Sequence, residues 1–537
     1  DAHRTTRDFL GSPAAHPLVV ATLALGMQRI SPVVFAVAAL ALTLCGVSVW
    51  QLRDADAGVG VERLNIGPTP VTVFRSEVDR TDTARPVVVV SHGFAGSQQL
   101  MQAFAVTLAK NGYIAVTFDY LGHGRNLQPL TGNVTEVEGA TRKLVEQTRE
   151  VVDHAVSLPG AGGGLAVLGH SMASDIIARC AQNDARVDAT VAVSMFSPAV
   201  DKESPANLLI IVGGLEGFLR EEALRVLGMV TENPREGVTV GDFAEGSARR
   251  VAIAEGVEHV GVLYSRASMK ETVAWLDEAF GRSSRGYADS RGIAIVLLIV
   301  GAALLVWPLS KLLPTVSRPQ LGASLTWSQL LPAGVIPAVI TPFALWAFPA
   351  DFLGVLVGGY LAVHFLVYGL VGTACLWWLG KLGAPRGPSR SDHAKLAFAT
   401  LVSTAYAAGV ISLIMDTYVT SFAITSSRLP LVGVMFAGTL SYFLADEWLT
   451  HGAETVRGGH LFTRLCFLVS LGIAVALSFE ELFFLLIIAA VIVIYFLVYG
   501  FFSKWIYART GHPAVGAIAN AVAFAWALTA VFPFIAR

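Results

Sequence analysis

The chain has 537 residues, of which 54% are hydrophobic and 15% charged, with a formal net charge of −2. Soluble enzymes carry about 25% charge, and a mean hydropathy of +0.60 places much of this chain in lipid. The near-neutral balance, with no dense basic cluster, excludes nucleic acid as a partner.

Arg4, Arg7 and Arg29 precede an uncharged apolar run, Val33 to Trp50, of roughly the 20 residues that cross a bilayer. A transmembrane anchor is expected over 33–52, after a cytoplasmic or interfacial segment, 1–32, in which Leu18 to Met27 forms an interfacial helix. A cleaved signal peptide fits less well, because no short apolar core is followed by a small-residue cleavage site.

From about Arg63 to Arg285 short β-branched runs alternate with amphipathic, charged segments, the pattern of a parallel sheet covered by helices. Strands are expected at Val87 to Val90, Ile114 to Phe118, Leu165 to Leu168, Thr190 to Ser194, Leu208 to Val212 and Val251 to Ala254. Helices are expected at Gln98 to Lys110, Val137 to Ser157, Met172 to Gln182, Leu219 to Leu227 and Ser268 to Phe280.

Beyond Arg291 the chain is almost wholly apolar, with spans expected near 292–310, 328–348, 352–379, 395–415, 429–446, 461–478, 482–502 and 514–535. Lys311 and Arg318, then Lys381, Arg386, Arg390 and Lys395, then Arg457 and Arg464, then Lys504 and Arg509 all fall on one side of this all-α domain of about eight helices. By the positive-inside rule that side is cytoplasmic, which puts the 63–285 domain outside, and a periplasmic position on a bacterial inner membrane is expected. Phe348-Pro349-Ala350-Asp351-Phe352 with Phe365-Leu366-Val367-Tyr368-Gly369, and Phe479-Glu480-Glu481-Leu482-Phe483 with Phe496-Leu497-Val498-Tyr499-Gly500, suggest two parallel four-helix repeats; chance similarity in an apolar alphabet is the competing explanation. His364 reads as a neutral imidazole bonded to a neighbouring helix. Asp351, Glu480 and Glu481 fall at the outer boundary, Gly354 and Gly358 suit a close helix-packing pair, and Pro332, Pro337 and Pro342 would bend one span. Cys45, Cys375 and Cys466 lie in apolar stretches and Cys180 on an expected helix, so neither a disulfide framework nor metal-ligand spacing is suggested, and no cofactor is implied.

Gly169-His170-Ser171-Met172-Ala173 stands directly after the strand Leu165 to Leu168 and before a helix. That is the context of a nucleophile elbow, in which a sharp strand-to-helix turn lifts a serine hydroxyl into open space between small residues; Ala173 stands where glycine is commoner. A serine needs a base, an orienting acid and donors for the developing oxyanion. Glu216 follows the strand Leu208 to Val212, and His259 follows the last strand, so nucleophile, acid and base occur in that order. Asp242 is the fallback acid. His92, His123 and His170 read as structural or pocket-lining, and Asp119 as a brace between loops.

With Ser91-His92-Gly93-Phe94-Ala95-Gly96 and Asp119-Tyr120-Leu121-Gly122-His123-Gly124, these residues make the domain from about 63 to 285 resemble the α/β-hydrolase superfamily, serine esterases and lipases in particular. The resemblance implies an α/β-hydrolase fold, mostly parallel sheet with helices on both faces, fused to the polytopic transmembrane domain. It also implies an oxyanion hole from the backbone N–H groups of Phe94 and Met172, a contribution of ~3 to 4 kcal/mol per donor in similar sites. The large cap of many relatives looks absent, and Phe218 to Ala248 is expected as a small lid. The function expected is serine hydrolysis of acyl or lipid esters by Ser171, His259 and Glu216 at the outer membrane surface, on a membrane lipid or acylated substrate. Three alternatives stay open: an acyltransferase using the same residues, peptide-bond cleavage, and a transporter or assembly scaffold with a non-catalytic outer domain, partnered by another membrane protein or a second copy.

Overall fold

The computed structural model describes residues 31–77, 84–133, 136–348, 352–383 and 390–536. The expected interfacial helix at Leu18 to Met27, the arginines before the anchor, Asp351 and Arg386 lie outside them. The first helix, α1 (Pro32–Asp56), opens with Ser31 accepting from Val34 N–H and proline in its first turn, a start signal that supplies one donor's partner and needs none for the next.

Its end leads straight into a hairpin, β1 (Val59–Ile66) and β2 (Thr69–Ser76). There follow β3 (Arg85–Ser91), α2 (Gln102–Lys110), β4 (Ile114–Phe118), β5 (Leu130–Thr131), α3 (Arg142–Val156), β6 (Ala161–His170), α4 (Met172–Gln182), β7 (Ala189–Val193), β8 (Leu208–Gly213), α5 (Gly217–Leu227), β9 (Arg249–Ala254) and α6 (Arg266–Ala279). One eight-stranded sheet runs β1-β2-β4-β3-β6-β7-β8-β9. Its strands are parallel from β4 to β9, and β2 is antiparallel to both β1 and β4. Val88 and Val90 pack with Phe104 of α2 and Trp275 and Leu276 of α6. Val87 and Val89, pointing the other way, pack with Val151 of α3 and Ile176 of α4. Alternation with a period of two therefore feeds two apolar layers, and strands covered on both faces read as uninterrupted β-branched runs. From β3 the chain moves outward to β4 on one side and returns to β6 on the other, so a crevice opens at the carboxyl ends of β3 and β6.

The hairpin β1–β2 was not expected. β1 is an edge strand carrying Glu62 and Arg63 with a mostly exposed face, so its periodicity is masked by charges that protect a free edge.

The remaining helices are α7 (Arg291–Ser310), α8 (Trp327–Ala344), α9 (Gly358–Trp378), α10 (Arg390–Thr404) continued by a wider turn into α11 (Ile411–Tyr418), α12 (Leu429–Thr450), α13 (Gly459–Leu477), the short α14 (Phe479–Leu482), α15 (Phe484–Thr510) and α16 (Pro513–Val531), before β10 (Ile535–Ala536). Counting α10 and α11 as one, nine helices among the described residues, α1 included, are long and apolar enough to cross a membrane. Aromatic rings of α9, α12, α13, α15 and α16, among them Phe365, Tyr442, Phe467, Phe496 and Phe524, fill the centre of this bundle. The close approach of α9 and α12 depends on Gly369 and Gly438: a Cβ on the first would lie 2.3 Å from the Ser441 carbonyl carbon, and on the second 2.2 Å from Ala362 O. Gly354 and Gly358, expected as the packing pair, have other places. Gly354 sits in the preceding loop at φ +69° against Ile535 O, and Gly358 opens α9 against Val355. The expected prolines all lie within α8. His364 is fully buried with Ser470 Oγ of α13 3.1 Å from its Nε2, the neighbouring-helix bond the sequence suggests. Glu480 and Glu481 are exposed.

The bundle meets the sheet domain at the crevice end. Phe484, the first residue of α15, stacks on Phe94 at 4.3 Å between ring centroids. Ser421 N–H donates to Ser97 Oγ at 2.8 Å, and Arg125 pairs with Asp416 at 2.7 Å. β10 adds to β5 as a parallel partner, with Phe534 N–H on Gly122 O at 2.8 Å. Arg428, fully buried, donates to Thr529 O (2.6 Å) and Ala530 O (3.1 Å) in the last turn of α16, to Phe532 O (2.7 Å) just beyond it, and to Gly122 O (2.5 Å) of the sheet domain. Arg428→Met takes this donor from the carbonyls of Thr529, Ala530 and Phe532, and leaves Gly122 O with Phe534 N–H alone. At about 1.5 to 3 kcal/mol for a bond to a charged group, part of it offset by relief of charge burial, the expected loss is about 3 kcal/mol. It should appear as a lower thermal midpoint in detergent and faster proteolysis at the junction, whereas an unchanged midpoint would contradict the role given to Arg428.

Candidate active site

β6 ends at His170 and α4 begins at Met172, so Ser171 alone makes the turn, at φ 54° and ψ −119°. Such a conformation costs of order 1 to 3 kcal/mol for a residue with a side chain. It is held by Ser171 N–H donating to Val193 O at 2.9 Å and Ser174 N–H donating to Ser171 O at 2.8 Å. The small neighbours have a steric cause. A Cβ on Gly169 would stand 2.7 Å from Ala173 O, yet the Ala173 methyl itself fits, 3.1 Å from that point. A Cβ on Gly93 would meet Ser171 Cβ and His170 Nδ1 at 3.0 Å, so only glycine lets the chain after β3 pass so near the serine. This close passage brings Phe94 beside the elbow, and Met172 opens α4, where the first N–H groups have no intrahelical partner.

The loops after β8 and β9 bring in the other two side chains. His259 Nε2 lies 2.9 Å from Ser171 Oγ, and His259 Nδ1 lies 2.6 Å from Glu216 Oε1. An ionised carboxylate only accepts, so the proton between them belongs to Nδ1, leaving the Nε2 lone pair toward the serine hydroxyl. Burial raises the Glu216 carboxyl, but hydrogen bonds from His259, Ser194 Oγ (2.7 Å) and Gly213 N–H (2.7 Å) outweigh it and hold the group below its usual value. Glu216 therefore stays ionised as pH falls into the ordinary carboxylate range.

Ser194 is the contributor that sequence reasoning missed. It closes β7 at φ +50°, and nothing in its neighbours announces a partner on the next loop. His170 is buried, its Nε2–H donating to His259 O at 2.9 Å, and burial lowers it to about 3, so it fixes the base's backbone as a neutral ring. His92 donates from Nδ1 to Gly93 O and accepts Tyr120 N–H at Nε2, with burial lowering it. His123, lowered by burial to about 3, lies edge-on to Phe94. Asp119 accepts from Gln98 N–H and Arg125 N–H, bracing two loops as expected. Asp242 instead accepts from Ala244 N–H within an exposed turn. The expected lid is also placed differently: Gly237 N–H donates to Val251 O, and Val240 pairs with Arg249, so this stretch closes the outer edge of β9. Around the site mouth stand exposed apolar side chains, Phe196 after β7 and Leu215 and Phe218 on either side of Glu216, the last two 68% exposed.

Residues 82–232 match the family model described as serine aminopeptidase, S33, which takes in Ser171 and Glu216 and stops before His259. The domain thus resembles the α/β-hydrolase superfamily in both fold and sequence, as the motifs imply. No curated protein matches the chain. Similar solved structures include a hypothetical protein from Pseudomonas aeruginosa (14% identity, TM-score 0.32, 42% of this chain and 94% of that one) and an epoxide hydrolase from an endophytic Streptomyces (14%, 0.30, 42% and 97%). A bacterial membrane phospholipase A, described as a virulence factor, is similar at 15% identity and a TM-score of 0.29, over 49% of this chain and 97% of that one.

Ser194→Ala removes one of three donors from Glu216, an interaction of about 1.5 to 3 kcal/mol. The Glu216 carboxyl is expected to rise toward its usual value, so the rate of fluorophosphonate labelling at Ser171 should fall about tenfold and its acidic limb move to higher pH. An unchanged limb would remove Ser194 from the site.

Proposed function

We propose that the chain is a membrane-embedded serine hydrolase that cleaves carboxylic esters of lipids or acylated molecules through an acyl-enzyme. The observation that carries this reading is the hydrogen-bonded series Ser171, His259, Glu216, at 2.9 and 2.6 Å. Ser171 Oγ attacks the acyl carbon while His259 Nε2 takes its proton, and ionised Glu216 stabilises the resulting imidazolium. The N–H groups of Phe94 and Met172 receive the oxyanion. His259 then protonates the leaving alcohol, and water, activated by the same imidazole, releases the acid.

Three features support an acyl substrate taken from a bilayer. The carboxyl ends of the strands face the bundle, Phe94 stacks on the first residue of α15, and Phe196, Leu215 and Phe218 offer an apolar rim to the same region. The name of the matching family model favours peptide bonds as a second reading, and an amide is opened by the same steps; the apolar rim favours the acyl chain. An amine or alcohol in place of water would make the enzyme an acyltransferase. The bundle end far from the sheet, where Val316 N–H meets Thr510 O, carries Lys311, Lys381, Arg457 and Lys504. The positive-inside rule therefore supports a cytoplasmic position for that end and an extracytoplasmic one for the hydrolase domain.

Ser171→Ala is expected to abolish fluorophosphonate labelling and lower short-ester hydrolysis by on the order of 10³-fold or more; retention of both would overturn the assignment. Phe196→Ser combined with Phe218→Ser should lower turnover of vesicle-borne esters about tenfold more than that of a soluble short ester. Equal loss on both would argue against entry from the bilayer.

A further inference from the structure

The bundle holds a polar cluster that ester hydrolysis does not use, at the end far from Ser171. Asp446 and Glu447 stand in the last turn of α12, 3% and 0% exposed. His460 and Arg464 face them from the first two turns of α13. Thr463 Oγ1 donates to Asp446 Oδ1 at 2.5 Å, and Thr450 Oγ1 lies 3.1 Å from His460 Nδ1. Arg464 donates to Phe496 O and brings Nη2 only to 3.8 Å from Glu447 Oε1. His451 Nδ1 donates to Glu447 O at 2.8 Å and lies 3.1 Å from Glu447 Oε2. Among the described residues, Asp446 Oδ2, Glu447 Oε1 and His460 Nε2 have no hydrogen-bond partner, while Glu447 Oε2 has only His451 beside it. Two buried carboxylates share one guanidinium, 3.8 Å from Glu447, and the imidazoles of His451 and His460, 3.1 Å from Glu447 and 3.9 Å from Asp446, and with the rings neutral the cluster is short of positive charge, an arrangement that is expensive inside a bundle.

Asp446, Glu447 and His460 each present one ligand atom within 4.8 Å of the others. Bonds of about 2.0 to 2.2 Å place neighbouring ligands roughly 3 to 4 Å apart, so closing on an ion takes a small movement. Beside Asp446 lies a cavity of about 10 Å³ lined also by Tyr368, Tyr442 and Thr463, room for about one water molecule as a further ligand. We propose that Asp446, Glu447 and His460 bind a divalent transition-metal ion, the donor set of one imidazole nitrogen and two carboxylates favouring zinc, manganese, iron or cobalt over calcium and magnesium, which take oxygen. The site joins α12 to α13 and, through Gly452 N–H on Tyr507 hydroxyl, reaches α15. It is independent of the hydrolase reading.

The test is a titration of the full chain, purified in detergent on a histidine-free tag and stripped with chelator, with Co²⁺ alone and then Zn²⁺. The expected result is about one Co²⁺ per chain with visible absorption bands that Zn²⁺ displaces, and a rise in thermal midpoint on adding Zn²⁺. Glu447→Gln and His460→Ala should each weaken binding at least about tenfold, whereas Glu480→Gln, exposed at the other end of the bundle, should bind as the unaltered chain does. Absence of saturable binding by the unaltered chain, or equal binding by Glu447→Gln and His460→Ala, overturns the proposal and leaves the carboxylates holding a proton. The titration of the unaltered chain decides the matter even where a variant does not fold.

Discussion

Carbonyls at the end of a helix have no intrahelical donors, and where that end is buried something else must supply them. At the end of α16 the supply is Arg428, which reaches three carbonyls of the bundle and one of the sheet domain. The guanidinium and Phe534 N–H thus hold the Gly122 turn together, and a side chain on Gly122 would strike Phe534 O at 2.4 Å. From that turn the constraint passes by contact to His123, from His123 to Phe94, and from Phe94 to the passage beside Ser171. The geometry around the serine is therefore set partly by a residue about 250 positions later in the chain.

Electrostatically the site is simple. Its acid stays charged because three donors outweigh burial, and the surrounding imidazoles of His92, His123 and His170 stay neutral because burial lowers all three. In the proposed reaction these neutral rings would add no positive charge beside the one His259 gains, and backbone donors would stabilise the oxyanion.

The sheet was legible wherever strands are buried on both faces, since Val87 to Val90 or Ile114 to Phe118 can serve nowhere but a covered sheet. β1 was not, because an edge strand mixes charge into its alternation, and β5 with β10 was not, because two residues pairing across the chain leave no local pattern. The long helices were legible for a similar reason: unbroken apolar runs mark them, and nine among the described residues are long and apolar enough to cross a membrane. The grouping of Ser171, Glu216 and His259 could be read from their order after successive strands. Ser194 and the cluster at Asp446 could not, since each becomes meaningful only when two elements meet. Gly354 and Gly358 misled because spacing suggests a helix face whether or not the helix has begun.

The sheet domain is inserted between α1 and α7, which pack side by side through Leu52 and Leu298, and Arg291 at the start of α7 pairs with Asp56 at the end of α1. With β10 as a third attachment on the far side, the described residues tie the domain to the bundle at three places. On the proposed reading, with the bundle in a bilayer, these attachments would hold the serine at one height above the acyl tails, so the protein would act as a depth gauge that favours molecules whose scissile bond lies at that level.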